Sequence, residues 1–340
     1  MYYSRQIVLP EIGVEGQKKL GRSRVLVVGA GGLGCPALLY LAAAGVGTIG
    51  ICDGDRLDES NLHRQPLYAA KDVGKYKVNL AKNRLMELNP HIQIEAHPCR
   101  LNAKNGIALF EKYDIILDCT DNFQTKFLIN DAAFLTQKPV VRASIYQFEG
   151  QIQTYIPTRN DPCLRCLWAE TPQDGCVGTC SQVGVLGPVP GFFGVLQGVE
   201  ALKWILEMGV LSSGQILFSD LIGYTQQLIT FEKNGSCPLC GHSPTIQKLT
   251  ELSWELEPHE IQGFQLVDIR ELHEIESDCY QGSCLHMPLS SFNASDLKSD
   301  VPYAIFCQKG RRSAHLVQIL RDQGFSKVFS VIGGIESLRD

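Results

Sequence analysis

The sequence lacks any uninterrupted apolar run close to the roughly 18 residues that a membrane-spanning helix requires. Its first residues, MYYSRQIVLPEIGVEGQ, also lack the apolar core of a signal peptide. Basic residues are not in excess, because 31 Lys and Arg stand against 36 Asp and Glu, for a net charge of −5. Nothing in this balance favours a nucleic-acid partner. We find no internal repeat and no low-complexity tract. These absences predict a cytoplasmic protein with no membrane and no nucleic-acid partner.

The length and composition indicate a multidomain globular protein. A chain of 340 residues exceeds one ordinary core and suits two or three domains. Hydrophobic residues make up 44% and charged residues 20%, which is typical of folded proteins. The 13 cysteines are many for a reducing compartment, and their odd number disfavours a disulfide scaffold. They indicate metal binding, catalysis or burial as small apolar residues.

The order of apolar patterns predicts an α/β fold with two domains. RVLVVG at 24–29 is typical of a buried parallel strand, and CPALLYLAAAGVG continues as a helix with Pro36 in its first turn. Strands and helices then alternate to about residue 138, which predicts a Rossmann-like, doubly wound, mostly parallel sheet. The Gly/Pro-rich stretch GVLGPVPGFFG precedes a helix that starts at VLQGVEALK. We predict a first domain over 1–241, a linker over 242–250 and a small α/β domain over 251–340.

A glycine-rich turn follows the first strand and suits a nucleotide. Gly29, Gly31 and Gly34 fit G-x-G-x-x-G between a strand and a helix, where backbone N–H groups can approach phosphates. Asp53 ends the next strand, where an acidic residue meets a ribose hydroxyl. These glycines alone favour NAD. The following loop and helix start add residues that suit a triphosphate better: Asp55, Asn61, Arg64, Gln65 and Lys77.

Two C-x-x-C pairs predict a metal site. Cys163 and Cys166 lie in CLRC, and Cys237 and Cys240 lie in CPLC, about 70 residues further on. One such pair can be redox-active, but two pairs complete the tetrahedral S₄ set of a structural zinc site. We therefore predict Zn²⁺ at these four cysteines in a structural role.

Several motifs, in order, resemble one enzyme family. SRQI, GAGGLG, DGDRLDESNLHRQ, VGKYKV and DCTDN are similar to the motifs of the ThiF/MoeB/HesA group, bacterial relatives of the ubiquitin-activating enzymes. The resemblance spans residues 2 to about 241 and includes the paired C-x-x-C motifs. It implies an enzyme that uses ATP and Mg²⁺ to adenylate the C-terminal glycine of a ubiquitin-like sulfur carrier protein with a Gly-Gly end, of the MoaD or ThiS type.

The resemblance also implies roles for individual residues. Asp121 would place Mg²⁺, and Arg5 would reach across a homodimer interface to the partner's ATP. Cys180, which precedes the GVLGPV stretch, would form a covalent link to the carrier, whereas Cys176 does not match that position; the alternative is a spare thiol. The remaining ATP-binding positions implied are Gly31, Gly32, Gly34, Asp53, Asp55, Asn61, Arg64, Gln65 and Lys77.

The segment CQKGRRS at 307–313 indicates a reactive thiol. Lys309, Arg311 and Arg312 surround the loop with positive charge, and backbone N–H groups of such a loop form an anion-binding nest. Both effects lower the pKa of a thiol, so we expect Cys307 to be largely thiolate at neutral pH. The alternative is a buried cysteine at a strand end. A tyrosine-phosphatase loop, C-x5-R, is disfavoured because Ser313 stands where its arginine would be.

The order of LVDIRE, HMPLSSF, CQKGRRS and GFSKVFSVIGGI resembles a single rhodanese domain over about 250–340. The resemblance implies sulfur carried as a persulfide on Cys307, supplied by a cysteine desulfurase or another persulfide donor. The favoured hypothesis joins adenylation of the carrier to sulfur transfer, which yields a thiocarboxylate. The alternatives are an adenylating enzyme with an accessory docking or regulatory rhodanese unit, including one that passes its carrier on by isopeptide or thioester transfer, and a non-catalytic nucleotide-binding module.

Overall fold

The computed structural model describes residues 2–169, 184–208, 214–250, 254–277 and 279–339. These residues form two compact units. The first unit contains the described residues up to 250, and the second contains those from 254 onwards.

The first unit is built on an eight-stranded sheet with the order β3-β2-β1-β4-β5-β6-β7-β8. The first five strands in this order pair in parallel, and β5 to β8 pair antiparallel. The α/β class and the large, mostly parallel sheet are therefore confirmed. The strands are β1 (Arg24–Val28), β2 (Thr48–Cys52), β3 (Gln93–His97), β4 (Ile115–Asp118), β5 (Val140–Tyr146), β6 (Glu149–Tyr155), β7 (Gln215–Asp220) and β8 (Thr225–Thr230).

Helices cover both faces of this sheet and bury its central strands. Every residue of β2 and all but the first of β1 are buried, as expected for parallel strands covered on two sides. No helix within the described ranges is both long and apolar enough to cross a membrane. The α-helices are α1 (Ser4–Ile7), α2 (Gly13–Arg22), α3 (Gly34–Ala44), α4 (Lys77–Leu88), α5 (Gly106–Phe110), α6 (Phe123–Thr136), α7 (Leu164–Leu167) and α8 (Pro188–Ile205).

Helix α8 begins earlier than the sequence pattern indicated. The Gly/Pro-rich stretch forms its first turns, because Pro188 and Pro190 occupy positions whose N–H groups have no partner within a helix. Further along the same helix, the Gln197 amide donates to the carbonyls of Asp118 and Val141 at 2.8 and 3.0 Å, which ties the helix to the sheet. The composition of the stretch therefore marked a helix start and not a loop.

The segment 242–250, which the sequence predicts to be a linker, is attached to the first unit. Ile246 and Leu249 pack partly buried against the apolar cluster that contains Phe110 and Tyr113. The backbone N–H groups of Thr245 and Ile246 both donate to the Pro238 carbonyl at 2.9 Å. Burial of these two apolar side chains explains the attachment, because a free linker would leave them exposed to water.

The second unit is built on a five-stranded parallel sheet with the order β11-β10-β12-β13-β9. Its strands are β9 (Glu255–Leu256), β10 (Gln265–Asp268), β11 (Leu285–His286), β12 (Tyr303–Phe306) and β13 (Val328–Val331), and its α-helices are α9 (Leu272–Ser277) and α10 (Arg311–Asp322). Strand β12 is central and fully buried. Cys307 follows it at the carboxyl edge, which is where parallel α/β sheets place their sites.

Candidate active site

The glycine turn between β1 and α3 is held by close backbone contacts. Gly29 has φ +93°, and a Cβ there would lie 2.7 Å from the Cys119 carbonyl oxygen. A Cβ on Gly34 would lie 2.0 Å from the Gly29 carbonyl oxygen, closer than any side chain allows. The turn therefore requires glycine at both positions. Gly31 and Gly32 complete it, and the side-chain amide of Gln65 lies 3.5 Å from where a Gly31 Cβ would be.

Asp53 is joined to this turn by hydrogen bonds. Its Oδ2 accepts from the Ala30 N–H at 2.7 Å, and its Oδ1 accepts from the Asp55 N–H at 2.7 Å. Burial raises the pKa of Asp53, which Lys77 opposes by its positive charge. The carboxylate therefore stands beside the glycine turn at the carboxyl end of β2, as the sequence spacing predicted.

The polar residues of the following loop converge on the same edge of the sheet. Lys77 is 5% exposed, and its Nζ lies 3.4 Å from Asp55 Oδ2. Arg64 donates to the Ser60 carbonyl at 2.9 Å. Gln65 is buried, and its Oε1 has no hydrogen-bond partner in the part of the chain that is described. A buried acceptor beside a glycine turn suits a ligand that brings a donor.

Asn61 is used within the loop itself. Its Oδ1 accepts from the Asp58 N–H at 3.3 Å, and the Asp58 side chain accepts in return from the start of the same short 3₁₀ helix, Glu59–Asn61. This reciprocal cap fixes the loop that carries Arg64 and Gln65. The amide group of Asn61 has a structural task here that the sequence reasoning did not foresee.

The end of β4 contributes residues that sequence reasoning missed. Asp118 is 1% exposed, and its carboxylate accepts from Thr120 and faces the Lys126 ammonium at 3.4 Å. Asp121, the expected magnesium ligand, is exposed just beyond this strand end. Lys126 lies in α6 and has no neighbour in sequence that marks it, so no local pattern identifies it.

The remaining expected site residues are Arg5 and Cys180. Arg5 is exposed in α1. Cys180 and Cys176 lie outside the described residues.

The two C-x-x-C pairs meet in one cluster. The Cys163 Sγ lies 4.0 Å from Cys166, 3.6 Å from Cys237 and 3.4 Å from Cys240, and all four sulfurs lie within 4.8 Å of one another. Hydrogen bonds with Cys166 and Cys240 and burial raise the pKa of Cys163, since neighbouring thiols in one pocket do not all ionise without a cation. A metal ion reverses this, because a coordinating thiol is deprotonated. The cluster can hold a tetrahedrally coordinated metal.

Cys307 begins the loop between β12 and α10 and is only 1% exposed. The Ser313 hydroxyl oxygen lies 3.7 Å from its sulfur and 3.0 Å from the Gly310 carbonyl oxygen, and Ser330 donates to Ser313 at 2.8 Å. The Ile335 N–H donates to the Cys307 carbonyl at 2.8 Å. The thiol therefore has features of both interpretations of the sequence: it is a buried cysteine at a strand end, and it begins a loop that carries basic residues.

The positive charge around this loop is smaller than the sequence indicated. Glu274 in α9 accepts from Arg312 through both oxygens, at 2.7 and 2.5 Å. This pairing lowers the pKa of Glu274 to about 2 and raises that of Arg312. Cys307 also raises the pKa of Arg312, so the guanidinium lies within interaction distance of the sulfur. Arg311 is exposed.

A buried ion pair supports the same loop from β10. Arg270 is fully buried, and its Nε and Nη2 donate to the carboxylate of Asp268 at 3.0 and 2.7 Å. Its Nη1 donates to the side chain of Gln308 at 3.3 Å. The residue after Cys307 is thus tied to the strand beside it.

Comparison with known proteins identifies relatives over almost the whole chain. The ThiF family matches residues 3–239. A sulfur carrier protein adenylyltransferase of Thermus thermophilus is 45% identical over 253 residues, 73% of this chain and 93% of its own length. The probable adenylyltransferase/sulfurtransferase MoeZ of Mycobacterium tuberculosis is 38% identical and covers 98% of this chain and 91% of its own. An adenylyltransferase and sulfurtransferase, MOCS3, of Aedes aegypti is 37% identical and covers 98% and 85%.

Solved structures share the fold at lower identity. E. coli MccB superposes with a TM-score of 0.63 at 21% identity, over 72% of this chain and 73% of its own. The same enzyme solved with ATP gives a TM-score of 0.58 over 66% and 68%. These similarities support the Rossmann-like architecture of the large sheet.

Proposed function

The chain belongs to the ThiF family, as its motifs predicted, and from this premise we propose that it adenylates the C-terminal glycine of a ubiquitin-like sulfur carrier protein. The observation that carries the proposal is the convergence of the glycine turn, Asp53 and Lys77 at one edge of the large sheet. The names of its relatives agree, since they are adenylyltransferases, and two of those quoted are also sulfurtransferases.

In this proposal ATP lies across the carboxyl ends of β1, β2 and β4. Gly31, Gly32 and Gly34 let its phosphates approach the backbone, and Asp53 accepts hydrogen bonds from the ribose. The cations and amides of the adjoining loop, namely Asn61, Arg64, Gln65 and Lys77, bind the triphosphate. Asp55 orients Lys77, and Arg5 of a second protomer completes the site in a homodimer.

The carrier's carboxylate attacks the α-phosphorus, a P–O bond forms, and pyrophosphate leaves. Negative charge builds up on the phosphate oxygens, and the buried ammonium of Lys77 stabilises it where water is scarce. Asp121 is an exposed carboxylate at the end of β4, a donor type that suits Mg²⁺. Mg²⁺ held there would supply positive charge to offset that of the phosphates.

We further propose zinc as the metal of the four-cysteine cluster. Four sulfurs about 2.3 Å from a tetrahedral zinc lie roughly 3.8 Å apart. Four of the six separations here are 3.4 to 4.0 Å, and all lie within 4.8 Å. All four protein ligands are thiolates, so no position remains open for a substrate. The role is structural, because the metal joins Cys163 to Cys237 and Cys166 to Cys240, each pair 74 positions apart in the chain.

The second unit supplies sulfur as a persulfide on Cys307, loaded by a cysteine desulfurase or another persulfide donor. The terminal sulfur attacks the acyl-adenylate carbonyl, a C–S bond forms, and AMP leaves. Cys180 is the candidate for a covalent intermediate with the carrier, in which its thiol displaces AMP and is released when the persulfide attacks. A thiol reductant then attacks the Cys307 sulfur of the acyl disulfide, and the thiocarboxylate leaves with the bonding electron pair. A second reductant thiol regenerates Cys307 from the mixed disulfide.

The direct test is carrier-dependent exchange of pyrophosphate into ATP. Lys77→Met should abolish exchange, whereas the exposed Lys112→Met should leave it unchanged. Absence of exchange with every Gly-Gly-tailed carrier tried would overturn the adenylation proposal. Mass spectrometry of the carrier tests the sulfur step: Cys307→Ala should stop thiocarboxylate formation, and the exposed Cys279→Ala in the same unit should not.

A second candidate function is supported by the burial of Cys307. A thiol that is 1% exposed must become accessible before it can carry sulfur, so the second unit could serve only for docking or regulation. Cys307→Ala distinguishes the two, because a docking unit would still allow thiocarboxylate to form at the wild-type rate.

A further inference from the structure

A small cavity of about 40 Å³ lies on one face of the large sheet, and its lining includes Lys126, whose ammonium faces Asp118. Arg142 on β5 and Gln153 on β6 are directly paired across the strands, so their side chains share that face. Both line the cavity, as do Ser144 and Gln151, the next paired residues on the same face. The cavity is therefore walled by polar side chains that strand pairing brings together.

Two buried hydrogen-bond donors in this cavity are unused. Arg142 is 8% exposed and Gln153 is 4% exposed. Arg142 Nη2 donates to Asn130 Oδ1 at 3.1 Å, but Arg142 Nη1 and Gln153 Nε2 have no hydrogen-bond partner among the residues that the structure describes. A buried donor without a partner is destabilising, and a charged one more so. Both groups are N–H donors, so the missing group is an acceptor.

The two carboxylates that act on Arg142, those of Asp118 and Asp131, are already paired with other cations. Its other acidic neighbours are the Cys163 thiol and Tyr155, whose ring centroid lies 5.4 Å from the guanidinium carbon. Asp118 faces Lys126 at 3.4 Å, and Asp131 accepts from Arg165 at 2.7 Å through each oxygen. Burial lowers the pKa of Arg142, the direction expected of a cation that has lost its hydration without a direct carboxylate partner. The acceptor that fits best therefore also carries negative charge.

The size and the edge of the cavity restrict the ligand further. A water-sized group needs about 10–15 Å³ of such volume, so the cavity holds roughly three heavy atoms, the number in a carboxylate. Apolar side chains complete its lining, among them Phe123, Leu167, Trp168 and Ile216. Because the carboxylate fills the cavity, an attached alkyl group has to lie at its edge, against these side chains.

We propose that Arg142 and Gln153 form a binding site for a short-chain carboxylate, with a lining that does not include the glycine turn, Asp53 or Lys77. The carboxylate oxygens accept from Arg142 Nη1 and Gln153 Nε2, and the alkyl group lies against the apolar edge. Charge-assisted hydrogen bonds of this kind are worth about 1.5–3 kcal/mol, roughly ten- to a hundredfold in affinity. The site does not depend on ATP or on a carrier.

Titration calorimetry of the full chain with propionate, without ATP and at constant ionic strength, tests this proposal. We expect one saturable site on the wild-type chain and at least about tenfold weaker binding of propionamide, which has the same shape without the charge. Arg142→Met should weaken propionate binding by a similar factor, and Gln153→Leu should weaken it less. The exposed Arg159→Met serves as the matched control and should bind as the wild type does.

Two outcomes would overturn the proposal. One is equal binding of propionate and propionamide by the wild-type chain, which would mean that the two donors are simply hydrated. The other is unchanged propionate binding in Arg142→Met or in Gln153→Leu. If Arg142→Met does not fold, the comparison of the two ligands and the Gln153→Leu variant still decide the question.

Discussion

The buried Asp268–Arg270 pair gives the sharpest test of what holds the second unit together. Asp268 is 2% exposed and Arg270 is fully buried, so Asp268→Asn would keep the volume but remove a negative charge that is bonded directly to this guanidinium. Breaking a buried pair from one side costs about 3–5 kcal/mol, because an uncompensated charge stays in the interior. A domain is stable by only about 5–15 kcal/mol, so much of its stability would be lost.

Urea unfolding monitored by Trp254 measures this loss. Trp254 belongs to the second unit, where its indole N–H donates to Gln318 at 2.8 Å, and replacing Trp168 and Trp204 by Phe makes it the sole tryptophan. With a slope of about 2 kcal/mol per molar urea, a loss of 4 kcal/mol lowers the midpoint by about 2 M. The exposed Asp300→Asn is the control. Equal midpoints for the Asp268 and Asp300 variants would refute the reasoning.

Three further predictions concern single groups. A hydrogen bond with Cys52 lowers the pKa of Cys99 to about 7. The rate of Cys99 alkylation by iodoacetamide, followed by peptide mass mapping, should therefore be half-maximal near pH 7. Cys52→Ala should move this midpoint upwards, and an unmoved midpoint would contradict the assignment. The pKa of Glu274 is lowered to about 2, so at pH values above its ordinary pKa the ionised side chain should stabilise the fold by about 1 kcal/mol. This contribution is lost as the pH falls towards 2. Glu274→Gln should therefore be less stable than wild type in urea at pH 6 but not at pH 2. Gly34→Ala places its Cβ 2.0 Å from a backbone oxygen and should abolish pyrophosphate exchange, whereas Gly21→Ala, with open space around its Cβ, should retain it; full activity of Gly34→Ala would show that the turn can shift.

Local patterns were sufficient for much of the fold because their physical causes are local. A β-branched strand, a glycine turn and a helix with Pro36 in its first turn follow one another within about 20 residues, and the structure places them as the pattern predicted. The start of α8 was harder, since proline and glycine are common both in loops and in the first helical turn. Only burial against the sheet decides between these two.

The sequence predicted Asp53 and Lys77 at the candidate site but missed Asp118 and Lys126. Asp53 and Lys77 follow sequence signals that place them at one edge. Lys126 lies within α6, and only the packing of that helix brings its ammonium to Asp118. Sequence spacing cannot give such a contact, because it depends on how two elements pack.

The sequence by itself determined which chemical groups the chain carries and their local order: a glycine turn for phosphates, four thiols in two pairs, and a cysteine within a basic loop. The tertiary structure decided the electrostatics of each group. It brings Glu274 onto Arg312 across 38 positions and buries Cys307. Strand pairing places Arg142 beside Gln153 in a cavity that no local sequence pattern predicts. The physical reason is that charge and burial act through space, so they are fixed only when distant segments meet.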